Sequence, residues 1–169
     1  MRLLTKISLL PFILLISSPS VAGLSTPTEI RQQVKERGVN SIVAEIGEQG
    51  KRNEIAYYIT TGNPEWVKIA FELTPNIHQD FSKQIFNSLS FALINNPVEV
   101  LTLANKRKPS LSSDICNIPP TLIGLEKKEQ FVRNVAKSLT AAKKSASRKD
   151  KENIEICQWE LNQSYTEYL

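Results

Sequence analysis

The sequence predicts an all-α protein, a compact array of about seven helices arranged as hairpins and cross-linked once. Two observations predict it. Helix start signals, a cap residue followed by proline and then an acid, recur along the chain at Thr26-Pro27, Asn63-Pro64-Glu65 and Asn96-Pro97. Between them apolar residues recur at three- and four-residue spacing, and no segment alternates with a period of two over several residues.

The elements follow in order. Thr26 caps a first helix, Pro27 takes its first position, Glu29 completes a reciprocal cap, Ile30 and Val34 face the core, and Gly38 ends it. Asn40 caps a second, short helix with Ile42, Val43 and Ile46, closed by Gly47 and Gly50. A third runs from about Glu54 to Ile59 and stops at Thr60-Thr61-Gly62. Asn63-Pro64-Glu65 starts a fourth with Trp66, Val67, Ile69, Ala70 and Leu73, which Pro75 interrupts. The longest clear amphipathic segment is Asn76 to Ile94, with Ile77, Phe81, Ile85, Leu89 and Ala92 near one face. Asn96-Pro97 starts the next, with Val98, Val100, Leu101, Leu103 and Ala104. The two Asn-Pro pairs lie 33 residues apart, at 63–64 and 96–97. Two copies make a weak internal echo, and reuse of Asn-Pro as a helix starter accounts for it.

Lys106-Arg107-Lys108-Pro109 opens a connecting loop that continues through Ser110, Ser112, Ser113 and Cys116 to Pro119-Pro120, where two missing amide donors exclude regular helix. A long helix runs from about Leu125 into the 140s on a stripe of Phe131, Val132, Val135, Ala136, Leu139, Ala142 and Ala146. A last helix begins near Lys151 and carries Ile154, Cys157, Leu161, Tyr165 and Tyr168.

The first 22 residues read differently. Arg2 and Lys6 make a positive start, Ile7 to Ile16 an apolar run, and Ser20-Val21-Ala22 a small-residue cleavage site before Gly23. The run is about 10 residues, roughly half of a membrane span, which favours a cleaved signal peptide over an anchor. The expected organisation is therefore a leader over 1–22 and one helical domain over 23–169. Loss of Arg2 and Lys6 lowers the formal charge from +4 to +2. A nucleic-acid-binding domain is strongly basic, so that class is disfavoured. No apolar stretch after the leader reaches spanning length, so no transmembrane segment is expected after processing.

Export sets the reading of the two cysteines, Cys116 and Cys157. In an oxidising compartment they are expected to form one disulfide, fastening the proline-rich loop to the last helix. A catalytic thiol would need His78 beside one of them and would leave the other idle.

Other chemistries have thin support. One histidine and two cysteines cannot make a zinc site without carboxylates, and no G-x-G pattern exists for a phosphate loop. His78 lacks an orienting carboxylate at helical spacing and reads as an exposed first-turn residue. Glu45/Glu48, Glu126/Glu129 and Glu152/Glu155 are spaced as helix ends and solvated faces commonly are. No catalytic residue, metal or cofactor is expected from these patterns. An acid–base enzyme acting on cell-wall material would have to assemble carboxylates from distant segments.

Two features are candidates for contact with a partner. Lys137, Lys143, Lys144, Arg148, Lys149 and Lys151 form a basic stretch, from which Lys143, Lys144 and Arg148 are taken as contacts. Tyr57, Tyr58, Trp66 and Phe71 form an aromatic group. Trp66, in a first turn beside a loop, is its best anchor.

By Asn63-Pro64-Glu65-Trp66, by Asn96-Pro97 with Val100-Leu101, and by Ile115-Cys116 ahead of a long helix and Cys157, the chain resembles small exported bacterial helical proteins. The resemblance implies a fold and a periplasmic address and no substrate. Immunity proteins that neutralise secreted toxins share this size and compartment. The expectation is a non-enzymatic periplasmic protein that binds an unknown protein partner of the cell envelope through a helical surface, in the manner of an immunity or inhibitor protein.

Overall fold

The computed structural model describes residues 24–108 and 110–166. The leader, its cleavage site before Gly23, Pro109 and Tyr168 lie outside the described residues. Among the described residues the chain forms nine α-helices and no strand, an all-α fold.

α1 (Pro27–Arg37) starts as its sequence dictates. Thr26 Oγ1 accepts the Glu29 N–H at 3.3 Å, and Glu29 Oε2 accepts the Thr26 N–H at 3.0 Å. α2 (Val39–Glu48) follows with Gly38 alone between them. Asn40 does not cap it. That residue lies inside α2, and its Oδ1 accepts the Ile77 N–H at 3.0 Å, tying α2 to a distant corner. Gly47 does not close α2 either. A β-carbon there would sit 2.6 Å from Arg52 Nη2, so the missing side chain makes room for Arg52. The Arg52 guanidinium in turn lies 5.5 Å from the centre of the buried Phe81 ring.

α3 (Arg52–Thr60) and α4 (Pro64–Leu73) form one hairpin, α5 (Gln79–Ala92) and α6 (Pro97–Arg107) the next. Asn63 Oδ1 accepts the Glu65 N–H at 3.0 Å and Asn96 Oδ1 the Glu99 N–H at 3.4 Å, each capping a helix with proline at its start. Both Asn-Pro pairs thus act as the helix starters that the sequence reading takes them for. The two corners touch: Asn95 Nδ2 donates to Thr60 O at 3.2 Å and Asn96 Nδ2 to Gly62 O at 3.0 Å.

α5 begins at Gln79, three residues later than the expected start at Asn76. Asn76 builds the corner instead. Its Nδ2 donates to Leu73 O and Ser82 Oγ, and its Oδ1 accepts the His78 N–H. Ile77 is carried off the apolar face and is 73% exposed.

The segment expected to be loop contains α7 (Ser110–Ile115). It is a helix because Ser112 and Ile115 can be buried on one side of it against α5, α6 and α9 (Arg148–Thr166). α8 (Leu125–Ser145) buries Phe131, Val135 and Leu139, the centre of the expected stripe. α9 starts before Lys151 because Ser147 Oγ accepts the Asp150 N–H at 3.3 Å and donates to Asp150 Oδ2 at 2.6 Å.

The helices pack in two rows: α3, α5 and α7 in one, α1, α4, α6 and α9 in the other, with α2 against α1 and α4 and α8 over α6 and α9. One continuous core runs between them, from Leu24 to Leu161. α9 crosses the far side as a buttress. Thr102 donates to Asp150, Asn105 to Asn153 and Ser113 to Glu160, all within 3.0 Å, and Ser164 Oγ accepts the Ile118 N–H at 3.2 Å. The first two rungs advance together, so α6 and α9 run parallel. Cys116 and Cys157 are joined by a disulfide with Cα atoms 5.3 Å apart, and both are fully buried.

Candidate functional site

Trp66 projects from the first turn of α4, where the Asn63 cap holds the backbone. Its ring stacks on Tyr58 of α3, centroids 4.9 Å apart and planes 17° from parallel. Tyr57 lies beside Tyr58 at 5.9 Å. Trp66 and Tyr58 are half-buried, whereas Tyr57 is 66% exposed. Tyr58 and Trp66 stack, and Tyr57, tilted 57° from Tyr58, extends them into a ledge on the α3–α4 hairpin. Phe71 does not join it: that ring is buried and floors a cleft of about 460 Å³ between α4 and α6.

Charges border the ledge. Glu65, next to Trp66, accepts from Lys68 at 2.8 Å and Arg31 at 3.2 Å. Those two bonds hold its carboxyl below the usual range, Lys68 contributing most. Arg31 also donates to Glu72 at 2.9 Å. Tyr58 donates to Glu54 at 3.3 Å, and the negative charge of Glu54 raises the phenol above its ordinary value.

The other expected contacts lie at the α8–α9 turn. Lys143 pairs with Glu155 at 2.8 Å, and Arg148 with Glu152 at 3.5 Å. Lys144 makes no ion pair among the described residues. No hydrogen bond, ion pair or ring contact joins any of the three to Trp66, so they do not form one site with it. Two apolar residues not foreseen as contacts stand exposed on α9, Ile156 and Trp159. Their sequence signal was present, since both fall off the Ile154-Cys157-Leu161 stripe.

His78 sits at the cap position of α5 rather than in its first turn, and it is half-buried rather than exposed. Of the spaced acids, Glu45 pairs with Arg37, Glu129 with Arg133, Glu152 with Arg148 and Glu155 with Lys143. Among the described residues no three His, Cys, Asp or Glu side chains group as a metal site would. Nor, among those residues, is any helix long and apolar enough to cross a membrane.

A second cleft, of about 480 Å³, opens between α5 and the segment from Asp114 to Pro120. Phe86, Ile118, Pro119 and Pro120 give it an apolar lining, and Lys83, Asn87, Asp114 and Asn117 give it polar groups.

No known protein family, curated protein or solved structure matches the chain. The functional reading therefore rests on its own geometry.

Proposed function

We propose that the protein is a non-enzymatic binding protein of the cell envelope, periplasmic once its leader is removed, which docks a protein partner over the ledge around Trp66. The observation that carries this reading is the stacking of Trp66 on Tyr58 beside a largely exposed Tyr57. Aromatic side chains ordered before contact lose little entropy on binding, and a polar rim such as Arg31, Glu65 and Lys68 excludes water around them. The buried disulfide is compatible with export, since such bonds persist in oxidising compartments. Lys144, with Lys143 and Arg148 beside it, serves in the approach of an acidic partner rather than in the dock itself. The mechanism is steric cover of the partner's own site, as an immunity or inhibitor protein provides.

The test uses the mature protein as bait in periplasmic extract, in parallel with Tyr57→Ala and Trp66→Ala. The expected result is one protein captured stoichiometrically by the unaltered bait, with recovery falling about tenfold for each variant. Equal capture by all three baits, or cleavage of cell-wall fragments by the purified protein, would replace this reading.

A further inference from the structure

The cleft between α5 and the Asp114–Pro120 segment shares no residue with the ledge. One polar group of its lining is satisfied within the fold: Ser90 donates to Phe86 O at 3.2 Å. The exposed Lys83, Asp114 and Asn117 and the half-buried Asn87 also line the cleft, and among the described residues none of their side chains makes a hydrogen bond or ion pair. At the floor Ser164, 8% exposed, accepts the Ile118 N–H, while its own hydroxyl hydrogen has no acceptor among those residues.

We propose that this cleft binds a short peptide of two or three residues with free ends. A carboxamide offers a donor and an acceptor side by side, the complement of a peptide unit, and Asn87 and Asn117 supply one from each wall. Lys83 and Asp114 carry opposite charges and do not pair with each other. One suits a terminal carboxylate, the other a terminal ammonium. The Ser164 hydroxyl donates to a carbonyl, and Phe86 with Pro119 and Pro120 receives a small apolar side chain. The volume of about 480 Å³ lies within the usual range for small-ligand sites. A polyanion is disfavoured by Asp114. A sugar ring is disfavoured because the only aromatic side chain in the lining is a half-buried Phe86. The wall opposite α5 is held by the disulfide at Cys116 and by the Ile118–Ser164 bond, so the cleft is formed before a ligand arrives.

The experiment titrates the oxidised, full mature protein with L-alanyl-L-alanine, its N-acetyl form and its C-terminal amide, followed by amide NMR. The expected result is saturable shifts at the side-chain amides of Asn87 and Asn117, which Asn117→Ala weakens about tenfold. Asp114→Asn should weaken the free dipeptide about fivefold and leave the N-acetyl form unchanged. Lys83→Gln should act in the same way on the free peptide relative to the amide. Circular dichroism establishes that each variant is folded. The absence of shifts at tens of millimolar of all three peptides would overturn the proposal. So would Asp114→Asn weakening the free and acetylated forms equally, or shifts at these amides with a cell-wall disaccharide alone.

Discussion

Gly62 faces Asn95 so closely that a β-carbon placed on the glycine would lie 2.9 Å from the Asn95 Cβ and 3.2 Å from the Asn96 backbone nitrogen. Gly62 also has φ +70°, which disfavours any other residue. Gly62→Ala is therefore expected to lower the free energy of unfolding by about 2–4 kcal/mol, combining the backbone and overpacking costs. Gly50→Ala is the control, since Gly50 has a similar φ and open space around it. It should cost about 1 kcal/mol. Denaturant unfolding of both variants checks the difference; equal losses would show that the corners are not in tight contact.

The disulfide should matter more. Cys116 and Cys157 are 41 residues apart in sequence, and closing a loop of that length is worth about 4 kcal/mol in the chain-entropy treatment. Cys116→Ala with Cys157→Ala should lower the denaturation midpoint by a corresponding amount. Alkylation of the native protein without reductant should label neither sulfur.

Acid should weaken the grip of α9 on α6. The Asp150 carboxylate accepts from Ser147 and Thr102, and those bonds lower its pKa in the folded state, Ser147 contributing most. The unfolded chain then binds the proton more readily than the native one. The contribution is complete above the ordinary value of 3.8 and is lost as the pH falls below it toward the lowered value. Thr102→Val should flatten the fall of the melting temperature below pH 4. An unchanged slope would mean that this bond does not form in solution.

Tyr57 separates binding from stability. It is 66% exposed, so Tyr57→Ala should change the unfolding free energy by no more than about 0.5 kcal/mol. Trp66, stacked on Tyr58, should cost about 2–3 kcal/mol on truncation, because it leaves a gap in packing as well as on the surface. Only a loss of partner capture by the stable Tyr57→Ala variant ascribes the effect to the ledge itself.

How far the sequence carried depended on the range of the physics. The caps at Thr26, Asn63 and Asn96 are made by groups two or three residues apart, and they stand where the pattern puts them. The buried stripe of α8 is equally local. α7 escaped because Ser110, Ser112 and Ser113 hide its periodicity, and what makes it a helix is burial against α5, α6 and α9. Asn40 and Ile77 were misplaced for the same reason. Their bond spans 37 residues, and no window of sequence contains both. Trp66 could be singled out from its place after Asn63-Pro64, whereas its stacking partner could not. The cleft beside α5 leaves no trace in the sequence for a further reason: its second wall is the irregular stretch 116–120, and no local pattern tells where such a stretch folds back.

Because the cross-link ties Cys157 on α9 to Cys116 at the end of α7, the terminal helix has a covalent stop part-way along it. Tension applied at the C-terminal end would peel away α9 beyond Cys157, including the Glu160 and Ser164 rungs, against hydrogen bonds and packing alone. At Cys157 the load would pass through sulfur to Cys116, and further extension would require the interior itself to yield.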